Sequence, residues 1–279
     1  MKEKKNNIYK LIAALCIILF LVCIVWLLDY YRDLKEAQRQ MDELRESYVA
    51  TVSEDVVSEN TIFENTVSEN DIEEGKVYPG LEGFDVPAVS IDFPALYEEN
   101  DDIYAWVMVP GTPIDYPVLQ HPDDPAYYLE HNIDGSQGYP GCVFTEFYNS
   151  KDFEDPNTVI YGHNMKNGGI FASLHYFEDP EFFDQNQFIY IFTEEHTYVY
   201  QIFAAYEFPN IHLVLGFNLD DPDVFEQYLN GIFEMDGINN HFREAIELTA
   251  EDRILTLATC ISGKPDKRYL VQGVLVAIG

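Results

Sequence analysis

Residues 256–276 read TLATCISGKPDKRYLVQGVLV. Two apolar runs of strand-like content are joined by a short connection carrying Gly263 and Pro265, the pattern of two paired strands. Cys260 ends the first run and Arg268 opens the second, so the connection ISGKPDK can set a thiol and a guanidinium at facing strand ends. Cations are scarce enough to make that placement informative. The 279-residue chain has 16 Lys and Arg against 49 Asp and Glu, a formal net charge of −33, and only seven of its cations lie beyond residue 76. Three of those seven, Lys264, Lys267 and Arg268, fall just after Cys260.

The same strand signals run back along the chain. AWVMVPGTPIDYPVLQ, NTVIYGH, FIYIF, TYVYQIFAAYEF, RILTLATC and YLVQGVLVAIG are rich in Val, Ile, Tyr and Phe, with Gly and Pro between runs, and predict a mainly β domain, a barrel or sandwich, over residues 77–279. Helices interrupt it: SIDFPALYEEN, DPAYYLEH, GGIFASLHYF and DPDVFEQYLNGIFEM have helical character, the last beginning at an Asp-Pro start signal. A hydrophobic content of 47% supports one such core with accessory segments.

The N-terminal part is organised differently. Residues 8–28, IYKLIAALCIILFLVCIVWLL, carry no charge from Leu11 to Leu28, about the minimum that spans a bilayer. The run is longer than an ordinary signal-peptide core and no small-x-small cleavage site follows, so a retained transmembrane anchor is expected. Lys2, Lys4, Lys5 and Lys10 mark its cytoplasmic flank, which puts residues 1–7 inside and the domain outside the cell. Residues 29–50 continue as a helical stalk or a helix packed on the domain, with Leu34, Ala37, Met41, Leu44 and Tyr48 on one seam. Residues 51–76 then form an acidic, repeat-like linker, TVSED VVSEN TIFEN TVSEN DIEEGK. Its self-repulsion predicts an extended tether that holds the domain away from the membrane.

Composition also excludes partners. A surface this acidic repels nucleic acid and anionic lipid. No CxxC or HxxxH spacing offers a metal site, and the pairs Asp123–Asp124 and Asp220–Asp221 lack the spaced loop of an EF-hand, so neither a metal nor another cofactor is expected. Cys16 and Cys23 read as apolar residues of the anchor. That leaves Cys142 and Cys260, too few for a disulfide framework; Cys142 in GYPGCVFTEF reads as a small buried residue.

An exposed thiol that does chemistry needs a proton-handling partner and a stabiliser for the oxyanion it creates. Of the seven histidines, only His163, in NTVIYGHNM, ends an apolar strand at the mouth of a Gly-containing loop. His121, His131, His175, His196, His212 and His241 read as solvated or structural. Arg268 offers a planar fork that could orient a carbonyl and its developing charge, or could equally be a surface ion pair in so acidic a chain.

These residues resemble the sortase family. TLATC matches the TLxTC signature, NTVIYGHNM the histidine segment, and Arg268 falls at the family's catalytic arginine. The resemblance covers about residues 80 to 279 and is closest to class B: IYAWVMVPGTPIDYPVLQ, YYLEHN, GHNMKNGGIFASLHYF and a helix-rich insertion from Leu219 to Ile246 before the Cys strand all fit. The Asp-Pro-aromatic lid and second, C-terminal span usual in class C pilus polymerases are not seen.

The resemblance implies an eight-stranded β-barrel with peripheral helices and a membrane-anchored, extracellular cysteine transpeptidase in a Gram-positive type of envelope. Cys260 would attack the C-terminal sorting signal of a surface protein, forming a thioester. An amine of a peptidoglycan precursor, typically lipid II, would resolve it. His163 would act as acid and base, and Arg268 would hold substrate and oxyanion. Thr259, Ala258 and Leu129 are the candidate groove residues, and Ala258 and Ile261 depart from the residues usual beside the family's cysteine.

Two enzymatic readings stand beside this one: a secreted cysteine hydrolase that gives its acyl-enzyme to water, and a pilus-type sortase that polymerises protein subunits. Papain-like enzymes place Cys before His, and this chain reverses that order. A non-catalytic wall or adhesion module would bury Cys260 and leave the clustered cations unexplained.

Overall fold

The computed structural model describes residues 2–51 and 86–279. Seventeen described elements of helix and strand matter for the site. They begin with one long helix, α1 (Lys2–Tyr48), followed by β1 (Val49–Thr51), β2 (Val89–Ile91) and α2 (Phe93–Glu99). The barrel strands are β3 (Ile103–Met108), β4 (Asp115–Leu119), β5 (Val143–Thr145), β6 (Asn157–Tyr161), β7 (Phe188–Phe192), β8 (Thr197–Pro209), β10 (Ile254–Ile261) and β11 (Lys264–Ile278). Between them lie α3 (Tyr127–Glu130), a 3₁₀ helix (Ala172–Glu178), α4 (Pro180–Gln185), α5 (Pro222–Phe233) and a two-residue strand, β9 (His241–Phe242).

Strands run in the order β11-β10-β6-β5-β4-β3-β7-β8, and β8 pairs back onto β11, so the sheet closes as an eight-stranded barrel with β9 riding on β8. Closure removes the unpaired edges that the long apolar strands β8 and β11 would otherwise expose. Pairs β10–β6 and β4–β5 are parallel and the rest antiparallel. Trp106, Phe203, Leu257, Tyr269 and Val271 fill the core with no residual exposure. A polar seam crosses it fully hydrogen-bonded: Tyr206 Oη donates to Gln272 Oε1 (2.8 Å), and Gln272 Nε2 donates to Thr256 Oγ1 (2.7 Å) and Tyr228 Oη (3.0 Å).

Helices α2 and α5 lie where the sequence predicts them, and α4 begins at an Asp-Pro pair the sequence reading did not single out. Asp92, Asp179 and Asp221 each accept a backbone N–H at the start of α2, α4 and α5, with Pro in the first turn. GGIFASLHYF, expected as an amphipathic helix, is instead a 3₁₀ turn that packs on β8, β10 and β11. The stretch Leu219–Ile246 holds one helix, α5, with β9 and turns around it.

Residues Tyr9–Arg32 of α1 form a candidate membrane span, and none of the span's apolar window is buried. The helix does not stop there. Met41 and Leu44 bury against the barrel, Arg45 pairs with Asp115, and Tyr48 Oη donates to Glu99 at 2.7 Å. The seam of the expected stalk therefore faces the domain; the side chains of Leu34 and Ala37 lie outside the described residues.

Val49–Thr51 then pairs with Val89–Ile91. Most of the acidic segment 51–76 lies outside the described residues. Thr51 and Val89 are partners, so the described residues on either side of that segment meet in one two-stranded ladder. The spacer role expected for that segment falls on residues outside those described.

Candidate active site

Cys260 and Arg268 are direct antiparallel partners on β10 and β11. Partners across a ladder project to the same face with Cβ atoms about 4.5–5.5 Å apart, which starts both side chains from one face of the sheet. Register breaks immediately after Cys260, and the turn that follows is closed by Gly263 at φ +79°. On the other side of β10, β6 runs parallel, with Ala258 opposite Tyr161. Carried two residues further, that register brings His163 level with Cys260.

Local contacts hold the histidine end in place. Gly162 N–H donates to Ala258 O (3.2 Å), and Thr259 Oγ1 donates to Gly162 O (2.7 Å). A Cβ on Gly162 would stand 2.7 Å from the Phe171 ring, so only glycine allows this approach. The His163 ring lies 5.1 Å from Tyr139, and its Nε2–H donates to the Leu129 carbonyl at 2.8 Å. Cys260 is exposed and free.

Arg268 has no carboxylate partner among the described residues. Its Nη1 donates to the carbonyls of Lys267 (2.9 Å) and, more weakly, Pro265 (3.4 Å), which leaves the rest of the fork open. The two lysines take the ion-pairing role instead: Lys264 and Lys267 (2.9 Å) both clamp Glu207 on β8. Their hydrogen bonds hold the Glu207 carboxyl below the usual range. A depressed carboxyl stabilises the fold above its unfolded pKa and loses that contribution as pH falls through the folded value. Glu207→Gln is therefore expected to lower the melting temperature by a few degrees at pH 7, a gap that should close on acidification below about 4.3, the ordinary glutamate value.

The candidate groove residues divide. Leu129 is 40% exposed and, with Glu130, Gln137, Gly138, Tyr139 and His163, lines a cavity of about 340 Å³. Thr259 and Ala258 are 2% and 3% exposed. Thr259 donates its hydroxyl to the Gly162 carbonyl, and Ala258 is packed between β6 and β11.

Cys142 is fully buried, its thiol pushed up by desolvation and donating weakly to His131 O at 3.5 Å, as expected of a packing residue. Among the described residues no group of three His, Cys, Asp or Glu could hold a metal. Sequence reasoning passed over Asn164, His175, Glu178 and Tyr139. For the first three the only signal was adjacency to His163 and an i,i+3 His–Glu spacing.

Closed barrels that carry these three groups on neighbouring strand ends form one class of enzyme, the cysteine transpeptidases called sortases. The sortase domain profile matches residues 107–276. Sortase B of Listeria monocytogenes serovar 1/2a (strain ATCC BAA-679 / EGD-e) is 33% identical over 183 residues, 65% of this chain and 72% of that protein.

Among solved structures, sortase B from Bacillus anthracis superposes with a TM-score of 0.66 over 88% of this chain and 99% of its own, at 24% identity, a likeness of fold. A Streptococcus pyogenes class B sortase involved in pilus biogenesis superposes at 0.58, with 28% identity over 66% of this chain and 97% of its own. The chain belongs to the sortase family, class B, and is a cysteine transpeptidase.

Proposed function

We propose that this transpeptidase is held in the membrane by α1 with its barrel outside the cell, and that Cys260, His163 and Arg268 carry its chemistry on a surface protein's sorting signal. The observation that carries the reading is the open guanidinium of Arg268 directly across the ladder from Cys260, in a chain with 49 acids that could have paired it.

In the first step the Cys260 sulfur adds to the carbonyl carbon on the acyl side of the scissile bond, and Arg268 donates to the oxyanion that forms. Collapse breaks the C–N bond as His163 passes a proton to the departing amine, leaving a thioester. An incoming amine then gives His163 a proton as it attacks, and the sulfur leaves.

Acyl acceptor and leaving amine must occupy the same side of the thioester, the side of His163. The cavity lined by Leu129, Glu130 and Tyr139 touches His163 and neither Cys260 nor Arg268, which suits it to the acceptor. Glu130 has no ion pair or side-chain hydrogen bond among the described residues, so its carboxylate is free to attract an ammonium group. Tyr139 in turn stacks on Tyr30, near the C-terminal end of the candidate span, at 6.2 Å. That proximity supports an amine presented at the bilayer surface, as on a peptidoglycan precursor such as lipid II. A protein amine, as in pilus assembly, is the second reading, favoured by the S. pyogenes relative.

The test is intact-mass analysis of the full chain in nanodiscs with sorting-signal-like peptides, with and without an added amine. Full-length protein is required because Met41, Leu44 and β1 pack into the folded unit. An adduct on Cys260 that the amine converts to a new product supports the reading. An adduct that only water resolves makes the protein a hydrolase. Glu130→Gln is expected to leave adduct formation unchanged and to raise the KM for a cationic amine by about two- to fivefold, the size of an exposed charge pair.

A further inference from the structure

Beneath the strand end that bears Cys260 lies a hydrogen-bonded chain that the reaction as described does not use. Cys260 sits at a register break, where its carbonyl leaves the ladder. That carbonyl accepts instead from Asn164 Nδ2 at 2.8 Å. The same Asn164 nitrogen lies 2.9 Å from His175 Nε2, and His175 Nδ1 lies 2.6 Å from Glu178 Oε1. Glu178 Oε2 accepts from Asn239 Nδ2 at 2.8 Å, and the His175 ring is stacked on Tyr269 at 5.0 Å. His175 Nε2 is also 3.1 Å from the Cys260 carbonyl.

One assignment of hydrogens makes the Asn164, Glu178 and Asn239 links hydrogen bonds together, and leaves the 3.1 Å approach of His175 Nε2 to the Cys260 carbonyl a contact without a shared proton. Glu178, oriented by Asn239, takes the Nδ1–H of the His175 tautomer whose Nε2 is an acceptor. Asn164 has two N–H groups on one nitrogen: one goes to His175 Nε2, the other to the Cys260 carbonyl. The alternative tautomer would set the Asn164 donors against the Nε2–H.

We propose that His175 is a positioning residue for the nucleophile: held by Glu178, it fixes the Asn164 amide, and Asn164 fixes the backbone of Cys260 from the segment that also carries His163. The inference rests on reading Cys260 as the nucleophile. Pinning a carbonyl fixes the adjacent ψ angle and, through it, the direction in which the sulfur leaves the backbone. Asn164 follows His163 in the chain, so one side chain couples the placement of acid–base and nucleophile. Displacements near 1 Å at reacting atoms cost about 10²-fold in rate, so this support has leverage out of proportion to its contact area.

The test compares His175→Leu, His175→Gln, Asn164→Ala, the Asn164→Ala/His175→Leu double variant and Cys260→Ala, each as the full chain in nanodiscs. The probe is the peptide that wild type cleaves fastest from a fluorogenic library with Thr on the acyl side of the scissile bond. His175→Leu removes the acceptor and is expected to lower kcat by about 10- to 100-fold with KM little changed. Gln can still accept from Asn164, so His175→Gln should recover most of the loss, which a purely steric role for the ring would not allow.

Because His175 acts through Asn164, the double variant should be no slower than Asn164→Ala alone. Wild-type kcat in His175→Leu, equal impairment of the Leu and Gln variants, or additive losses in the double variant would each overturn the inference while leaving the nucleophile in place. Full turnover by Cys260→Ala would overturn both.

Discussion

Cys260→Ala is expected to form no acyl-enzyme with any sorting-signal peptide, a loss of about 10⁴-fold or more in turnover, without loss of fold. The two halves of that expectation come from different observations. Loss of chemistry follows from the sulfur being the atom that forms the thioester; no other described cysteine can replace it, since Cys142 is fully buried and Cys16 and Cys23 lie in the candidate span. Retention of fold follows from exposure: removing a side chain that faces solvent leaves no cavity, so the melting temperature should stay within a degree or two of wild type.

Cys142→Ala is the mirror case. It removes a buried sulfur with no catalytic neighbour, so it should cost about 1 kcal/mol of stability and leave kcat unchanged. His163→Ala should resemble Cys260→Ala in fold and fall short of it in effect, with about 10²- to 10⁴-fold lower turnover, because a thiol can still react slowly without a positioned acid–base. Intact mass and thermal melts on the four proteins separate these outcomes. An adduct on Cys260→Ala would remove that residue from the mechanism.

How far the sequence reached can be judged residue by residue. Strands of β-branched and aromatic residues between Gly and Pro were legible because each carries its own local signal, and so was the Asp-Pro start of α5. The facing of Cys260 and Arg268 was legible for a related reason, since a short turn fixes which residues can meet. Pairing of β6 with β10 was not, because the two strands are separated by almost a hundred residues and their parallel alignment is decided by barrel closure.

The same limit hid the support beneath Cys260. Asn164, His175, Glu178 and Asn239 come from a loop, a 3₁₀ turn and the segment after α5, and each alone is an ordinary polar residue. The burial of Thr259 and Ala258 on β10 depends on what β6 and β11 place against them, which their own sequence does not state. At the N-terminus, periodicity found the seam of α1 but could not say that its partner is the barrel.

Arg268→Lys, conservative in charge, is expected to lower kcat by about 10²- to 10³-fold, close to the effect of Arg268→Ala. Cross-strand pairing with Cys260 fixes where the Arg268 side chain starts, and the bonds of Nη1 to the Lys267 and Pro265 carbonyls hold one arm of the fork, leaving Nε and Nη2 without a protein partner among the described residues. Those donors have fixed spacing. A lysine ammonium would keep the positive charge but present it as a point on a flexible stem, with no second donor held at the distance an oxyanion and its neighbouring carbonyl require.

The local charge environment sharpens this. Lys264 and Lys267 already stand a few residues away and are engaged by Glu207, so if charge alone sufficed the site would scarcely need a third cation without a carboxylate partner. Since the oxyanion exists only after attack, the loss should appear in kcat with little change in the KM for the peptide, and the variant should melt like wild type because the side chain makes only two backbone hydrogen bonds. Steady-state kinetics of Arg268→Lys and Arg268→Ala decide it. If lysine restores most of the activity lost in alanine, the positive charge is what matters at this position and the fork geometry is not.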